Sequence, residues 1–250
     1  MLTHIRLGPA VIPSYPFLIL IGLWAGMWLA AKEADRLSIE GDHIYNIGLY
    51  GLLAGLVGGR MAYVLLHWDA YANNLIQALA LTANAISVPF AIIFALTTAL
   101  IYAGRHNLPF PVLADALAPG AVLMLIIAGI GAFLGSQTLG AVTTMPWGLT
   151  LFGQARHPAH LYQVVANAII LTIIWRVRLN PRWPGFTFLL FMALYSGSRL
   201  LLDPFFALFS TLDFGLRPVQ VASLVVLILI LVIMMSIDLV HSSKPSQAEA

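Results

Sequence analysis

Seven stretches of this sequence are too long and too apolar for the surface or core of an ordinary water-soluble domain. They cover roughly residues 15–32, 44–66, 84–104, 113–136, 158–176, 184–204 and 217–238. A helix needs ~17–25 predominantly apolar residues to cross ~30 Å of hydrocarbon, and each run has that length. In lipid every backbone N–H and C=O must be satisfied without water, which selects α-helices over any open sheet. Between the runs lie KEADRLSIEGD, WDAYANN, GRHNLPFP, RVRLNPRWPG and DPFFALFSTLDFGLRP, all with charge or turn chemistry. The fourth break, GSQTLGAVTTMPWGLTLFGQARHP, carries apolar patches of its own and is expected to lie partly in the interface. The expected fold is an all-α membrane protein of seven transmembrane helices. Residues 1–240 form one membrane domain, and residues 241–250 a polar, disordered tail.

Composition narrows the function classes. With 60% apolar and 9% charged residues, an ordinary soluble domain is excluded. The basic residues are dispersed, so no nucleic-acid partner is expected. No cysteine is present, which excludes disulfides and thiolate metal sites and means that any reacting thiol belongs to a substrate. The first residues, MLTHIRLGPAVIPSYP, lack a charged region leading to a small-residue cleavage site, so no removable signal peptide is expected. Seven basic residues (Lys32, Arg36, Arg105, Arg176, Arg178, Arg182, Lys244) fall on one side of a seven-span arrangement, and three (Arg6, Arg156, Arg217) on the other. By the positive-inside rule the first side is cytoplasmic, placing the N-terminus outside and the C-terminus inside.

Arg60 and Arg199 fall within apolar runs. A charge at such depth costs at least ~2.5–3.5 kcal/mol on insertion scales and therefore needs a partner, a wet cavity or a ligand. Arg199 has Tyr195 four residues before it and Asp203 four after, so the three share one helical face. Two uses fit: a structural Arg199–Asp203 pair, or a guanidinium held ready for a lipid phosphate, which it binds bidentately. Glycines in the second and fourth runs fit close helix packing. Pro89 is expected to kink the third helix, and Asp115 to cap the fourth. The tryptophans near span ends fit aromatic belts. His157 and His160 stand one turn apart, suited either to helix-start packing or to proton transfer. Their spacing alone makes no metal site, since no third ligand adjoins, and neither metal nor cofactor is expected.

Several blocks, in order, resemble the bacterial prolipoprotein diacylglyceryl transferases: Gly58-Gly59-Arg60 with Tyr63, VLADALAP from Val112, MPWG from Met145, RHPAHLYQ from Arg156, LYSGSR ending at Arg199, and RPVQVASL from Arg217. That family moves diacylglycerol from phosphatidylglycerol to the lipobox cysteine thiol of a lipoprotein precursor and releases glycerol phosphate. The resemblance implies a multi-pass bacterial plasma-membrane enzyme whose partners are a phospholipid donor and a precursor peptide. It implies catalytic roles for Arg199 and Tyr195, with His157 a candidate to stand in for the family's missing histidine, and lipid-phosphate or head-group contacts from Arg60, Gly59, Tyr63, Tyr162 and Tyr15, the last placed equally well as an interfacial aromatic anchor. The chain also departs from the family. Its signature, close to GRxGNFxNGE, reads AGIGAFLGSQ here, so Gly129, Ala132 and Gln137 stand at the arginine, first asparagine and glutamate. No histidine lies between His67 and His106, where an HGG block belongs, and Gln163 replaces the glutamate of RHPSQLYE. Three readings follow: a divergent transferase, a catalytically degenerate relative that binds phospholipid or a membrane partner, and a small transporter or channel.

Overall fold

Burial of seven apolar runs dictates the architecture, and the computed structural model contains seven helices long and apolar enough to cross a membrane. It describes residues 4–7, 10–72, 76–79, 85–151, 153–207 and 217–242. A short antiparallel hairpin, β1 (His4–Leu7) and β2 (Ala10–Pro13), leads into α1 (Ser14–Arg36). There follow α2 (Asp42–Leu66), the single turns α3 (Trp68–Tyr71) and α4 (Ile76–Leu79), α5 (Val88–Arg105) and α6 (Phe110–Leu134). A second antiparallel hairpin, β3 (Leu149–Leu151) and β4 (Gln154–Arg156), precedes α7 (Ala159–Val177). Then come α8 (Phe186–Leu202), a 3₁₀ turn (Asp203–Phe205) and α9 (Pro218–Ser242). Many large apolar side chains point outward, among them Leu20, Trp24, Leu96, Leu224 and Met235. In a soluble domain that would be a liability; in a bundle surrounded by lipid it is the expected outer surface.

The chain divides into two compact units. One joins the residues up to Ala30 to those from Ala114 onward, and the other runs from Ala31 to Leu113. In the first, α1 and α6 cross at paired glycines. A Cβ on Gly26 would sit 2.7 Å from the Gly120 carbonyl oxygen, and one on Gly120 would overlap the Gly26 carbonyl. Small residues are what allow two backbones to come so close in lipid, where helix association rests on packing. Gly120→Leu is expected to destabilise the protein by about 2 kcal/mol or more through overpacking. The check is a lower thermal midpoint in detergent beside wild type.

The core of this unit is Ala118 and Val122 of α6, Ile170 and Ile174 of α7 and Phe191 of α8. Asp115 caps a helix other than its own. From within α6 its carboxylate accepts the backbone N–H of Gly185 at 2.6 Å and of Phe188 at 2.9 Å, holding the start of α8. Beside it, the Trp183 indole donates to Asp238 at 2.7 Å and ties the α7–α8 turn to the end of α9.

In the second unit α2 packs against α5 with glycines facing alanines: Gly55 meets Ala91 and Ala95, and Gly59 meets Ala91 and Ile86. Pro89 does not kink the third helix. That helix begins at Val88, so Pro89 lies in its first turn, where its missing N–H is no loss. The tail from residue 243 lies outside the described residues.

Candidate functional site

The site is built in the first unit from the ends of α7, α8 and α9 and from the chain that follows α6. The residues before β3 form an extended strip between two neighbours. Ala141 donates its N–H to the Phe205 carbonyl at 2.8 Å and accepts from the His157 N–H at 2.9 Å. Ala207 donates to the Leu139 carbonyl at 2.8 Å, and bridges join Gly140 to Phe206 and Val142 to Arg156. The strip fixes the start of α7 relative to the 3₁₀ turn after α8. Gly140 has no alternative here, because a Cβ would overlap the His157 carbonyl oxygen.

Next to the strip is a cavity of about 350 Å³ whose walls include Thr138, His160, Gln163, Arg199, Asp203 and Arg217. The Asp203 carboxylate, almost fully buried, lies between two guanidiniums: Oδ1 is 3.6 Å from Arg199 Nη2, and Oδ2 is 3.4 Å from Arg217 Nη1. The same Arg217 nitrogen donates to the backbone carbonyls of Asp203 and of Phe206. The Arg199 guanidinium sits 5.3 Å over the Phe206 ring and makes no hydrogen bond among the described residues. Two positive charges thus face one negative charge, leaving an excess of one positive charge in a partly desolvated pocket. Such a site attracts an anion, and planar guanidinium donors match phosphate oxygens. A Cβ on Gly129 would meet Val164 of α7 at 2.8 Å.

The two histidines of RHPAHLYQ part company. His160 is on the wall of the arginine cavity, its ring edge-on to Phe206 at 5.1 Å. His157 instead hydrogen-bonds the Tyr162 hydroxyl at 3.1 Å, and that hydroxyl also receives the Trp147 indole N–H at 2.8 Å. His157 and Tyr162 both stack edge-on to Phe205, so this trio locks the loop onto the start of α7. A second void beside them holds about 20 Å³, no more than one water. Tyr195, a turn before Arg199, packs with Phe191 against the α6–α7–α8 core. Tyr15 backs onto the end of α6, where its Cβ would be 2.9 Å from one built on Gly135.

Arg60 belongs to the second unit and is largely occupied with backbone. It is 6% exposed, and it donates to the Ala85 carbonyl at 2.9 Å and the Gln77 carbonyl at 2.7 Å. Its guanidinium also faces the rings of Tyr71 at 5.2 Å and Tyr63 at 6.0 Å. Gly59 provides the close approach to α5 described above, and Tyr63 stacks on His67. Among the described residues no group of three histidine or acidic side chains is placed to hold a metal ion.

Sequence reasoning found Arg199 by its depth and Asp203 by its spacing. It missed Arg217 as a site residue, because a basic residue at a span boundary reads as a topology signal. Gln163, which in the sequence stands out only as a departure from the family's glutamate, lines the cavity.

Comparison with known proteins agrees with the blocks read in the sequence. The family model described as prolipoprotein diacylglyceryl transferase matches residues 2–236. A phosphatidylglycerol–prolipoprotein diacylglyceryl transferase of Clostridioides difficile (strain 630) is 28% identical over 189 residues, 76% of this chain and 76% of its own. One from Chromohalobacter salexigens is 31% identical over 200 residues, 78% of this chain and 75% of its own. Transferase 2 of Streptomyces coelicolor is 32% identical over 209 residues, 78% of this chain and 66% of its own. With seven membrane-crossing helices and a match over nearly its whole length, this chain belongs to the prolipoprotein diacylglyceryl transferase family.

Proposed function

We propose that this protein transfers diacylglycerol from phosphatidylglycerol to the cysteine thiol of a lipoprotein precursor in the bacterial plasma membrane, with its N-terminus outside. The observation that carries this reading is the pair of guanidiniums, Arg199 and Arg217, flanking Asp203 in one cavity. In the reaction the thiol sulfur forms a bond to a glycerol carbon of the donor. The bond from that carbon to the phosphate oxygen breaks, and glycerol phosphate leaves with the electron pair. Charge accumulates on the departing phosphate, where preorganised cations are most effective. Arg199, whose guanidinium is held only by its 3.6 Å ion pair with Asp203 and its place over Phe206, makes the phosphate contact; Arg217 adds charge and holds the turn that shapes the cavity. Tyr195 and His157 act by positioning, the first through the packing of α8 and the second through the loop lock with Tyr162. In this reading Tyr15 contacts the lipid head group, while Arg60, committed to the Ala85 and Gln77 carbonyls, holds its own unit together with Gly59 and Tyr63.

The test is the choice of donor and the identity of the product. Glycerol phosphate should be released in equal amount to the thioether formed. Phosphatidylcholine, whose choline carries a compensating positive charge, should be used at least about tenfold more slowly, an effect of roughly 1.4 kcal/mol. Equal use of both lipids would contradict the assignment of the cation pair.

A second reading is favoured by the signature itself. With Gly129, Ala132 and Gln137 in place of an arginine, an asparagine and a glutamate, the protein would bind anionic phospholipid without turning it over. Binding of phosphatidylglycerol with no release of glycerol phosphate would support it.

A further inference from the structure

We infer that His160 accepts the proton of the acceptor thiol; the inference rests on the transferase reading. Two buried polar atoms on α7, one turn apart, lack a hydrogen-bond partner among the described residues: His160 Nε2 and Gln163 Oε1. Both residues line the arginine cavity. Gln163 is 7% exposed, and its amide nitrogen is already committed to Asn167 at 3.3 Å and to Ser198 at 3.2 Å. A buried acceptor left without a donor is costly, and native structures rarely tolerate one without a ligand or a water to satisfy it. Two orphaned acceptors on one wall are suited to a substrate that brings donors.

Among the described residues lining the cavity, the side chains with the chemistry of a base are the His160 imidazole and the Asp203 carboxylate. Each carboxylate oxygen of Asp203 already faces a guanidinium, so the base is the histidine. His157 does not serve, since its Nδ1 is bonded to Tyr162 and it lies on the wall of the smaller void. With its proton on Nδ1, the neutral His160 ring presents Nε2 as an acceptor. The S–H proton passes to Nε2, and the thiolate attacks the glycerol carbon. The carbon–oxygen bond breaks toward the phosphate held by Arg199, and the imidazolium returns its proton to a phosphate oxygen of the leaving group. Gln163 Oε1 accepts a donor from the acceptor peptide or the glycerol head group. No cofactor or co-reactant is needed.

The experiment compares His160→Gln with wild type in two transfers, one to a lipobox peptide and one to the same peptide with selenocysteine in place of cysteine. A selenol is ionised at neutral pH and needs no base. Phosphatidylglycerol binding and thermal midpoint are measured in parallel, with His160→Asn as a second variant in case the first does not fold. The expected result is a loss of about 10²–10³-fold with the cysteine peptide. Activity with the selenocysteine peptide should return to within about tenfold of wild type, with lipid binding unchanged. Retained transfer to cysteine, or equal losses with both peptides, would overturn the role of His160. If wild type binds the lipid but transfers to neither peptide, the transferase reading itself fails, and that outcome is distinct from a failure of His160 alone.

Discussion

Arg199→Ala is expected to lower diacylglyceryl transfer by about 10²–10³-fold, the usual effect of removing one preorganised donor from a developing negative charge, or about 2.7–4 kcal/mol. Arg199 is the cation of this cavity whose guanidinium has no hydrogen bond to give up when a phosphate arrives. Its removal also leaves Asp203, 6% exposed, facing Arg217 alone, so the cavity loses its excess positive charge. Arg199→Lys should recover only part of the activity, because an ammonium keeps the charge but not the two-pronged geometry. Initial rates with phosphatidylglycerol as donor check both. Near-normal turnover in a folded Arg199→Ala protein would remove the phosphate role from this residue.

Gly140→Ala is expected to cost both stability and activity. The added methyl would coincide with the His157 carbonyl oxygen, a backbone atom that cannot rotate away. The extended strip would have to separate from residues 155–157 or from residues 205–207 and lose ladder bonds such as His157 to Ala141 and Ala141 to Phe205. Those bonds hold the start of α7 beside the turn after α8, where His160 and Asp203 line one cavity, so loss of the strip disperses the site. A destabilisation of about 3 kcal/mol or more is expected from overpacking together with broken buried hydrogen bonds. Thermal unfolding in detergent and the transfer rate together check it; an unchanged midpoint would mean that the strip is not held as described.

The helices were legible because a bilayer imposes a long, simple pattern. The run read as 15–32 is the helix Ser14–Arg36, and 158–176 is Ala159–Val177. Pro89 misled because the third helix starts four residues later than its apolar run does, which turns an interior proline into a first-turn proline. Asp115 misled in another way. Its spacing suggested a cap for its own helix, whereas its carboxylate reaches α8, 70 residues away in sequence. No periodicity can report such a pairing.

The site was half legible. Arg199 and Asp203 stand at i and i+4 of one apolar run, so local geometry alone brought them together. Arg217 comes from the start of the last span and His160 from the start of the fifth. Only the strip between α6 and β3 and the turn after α8 carry them to the same place. The block RHPAHLYQ showed two histidines, but one turn of helix sends one toward Tyr162 and the other toward the arginines. Gly129 lies against α7, where an added Cβ would come 2.8 Å from the Val164 side chain, a contact that sequence alone does not show.

The most direct measurement is transfer of radiolabelled diacylglycerol from phosphatidylglycerol to a lipobox peptide by the purified full-length protein. A relative that keeps the complete signature serves as the positive control. The structure predicts label on the cysteine thiol, with glycerol phosphate released in equal amount. No label on the peptide, under conditions where the relative works and this protein binds the lipid, would contradict a transferase built on Arg199, Arg217 and His160.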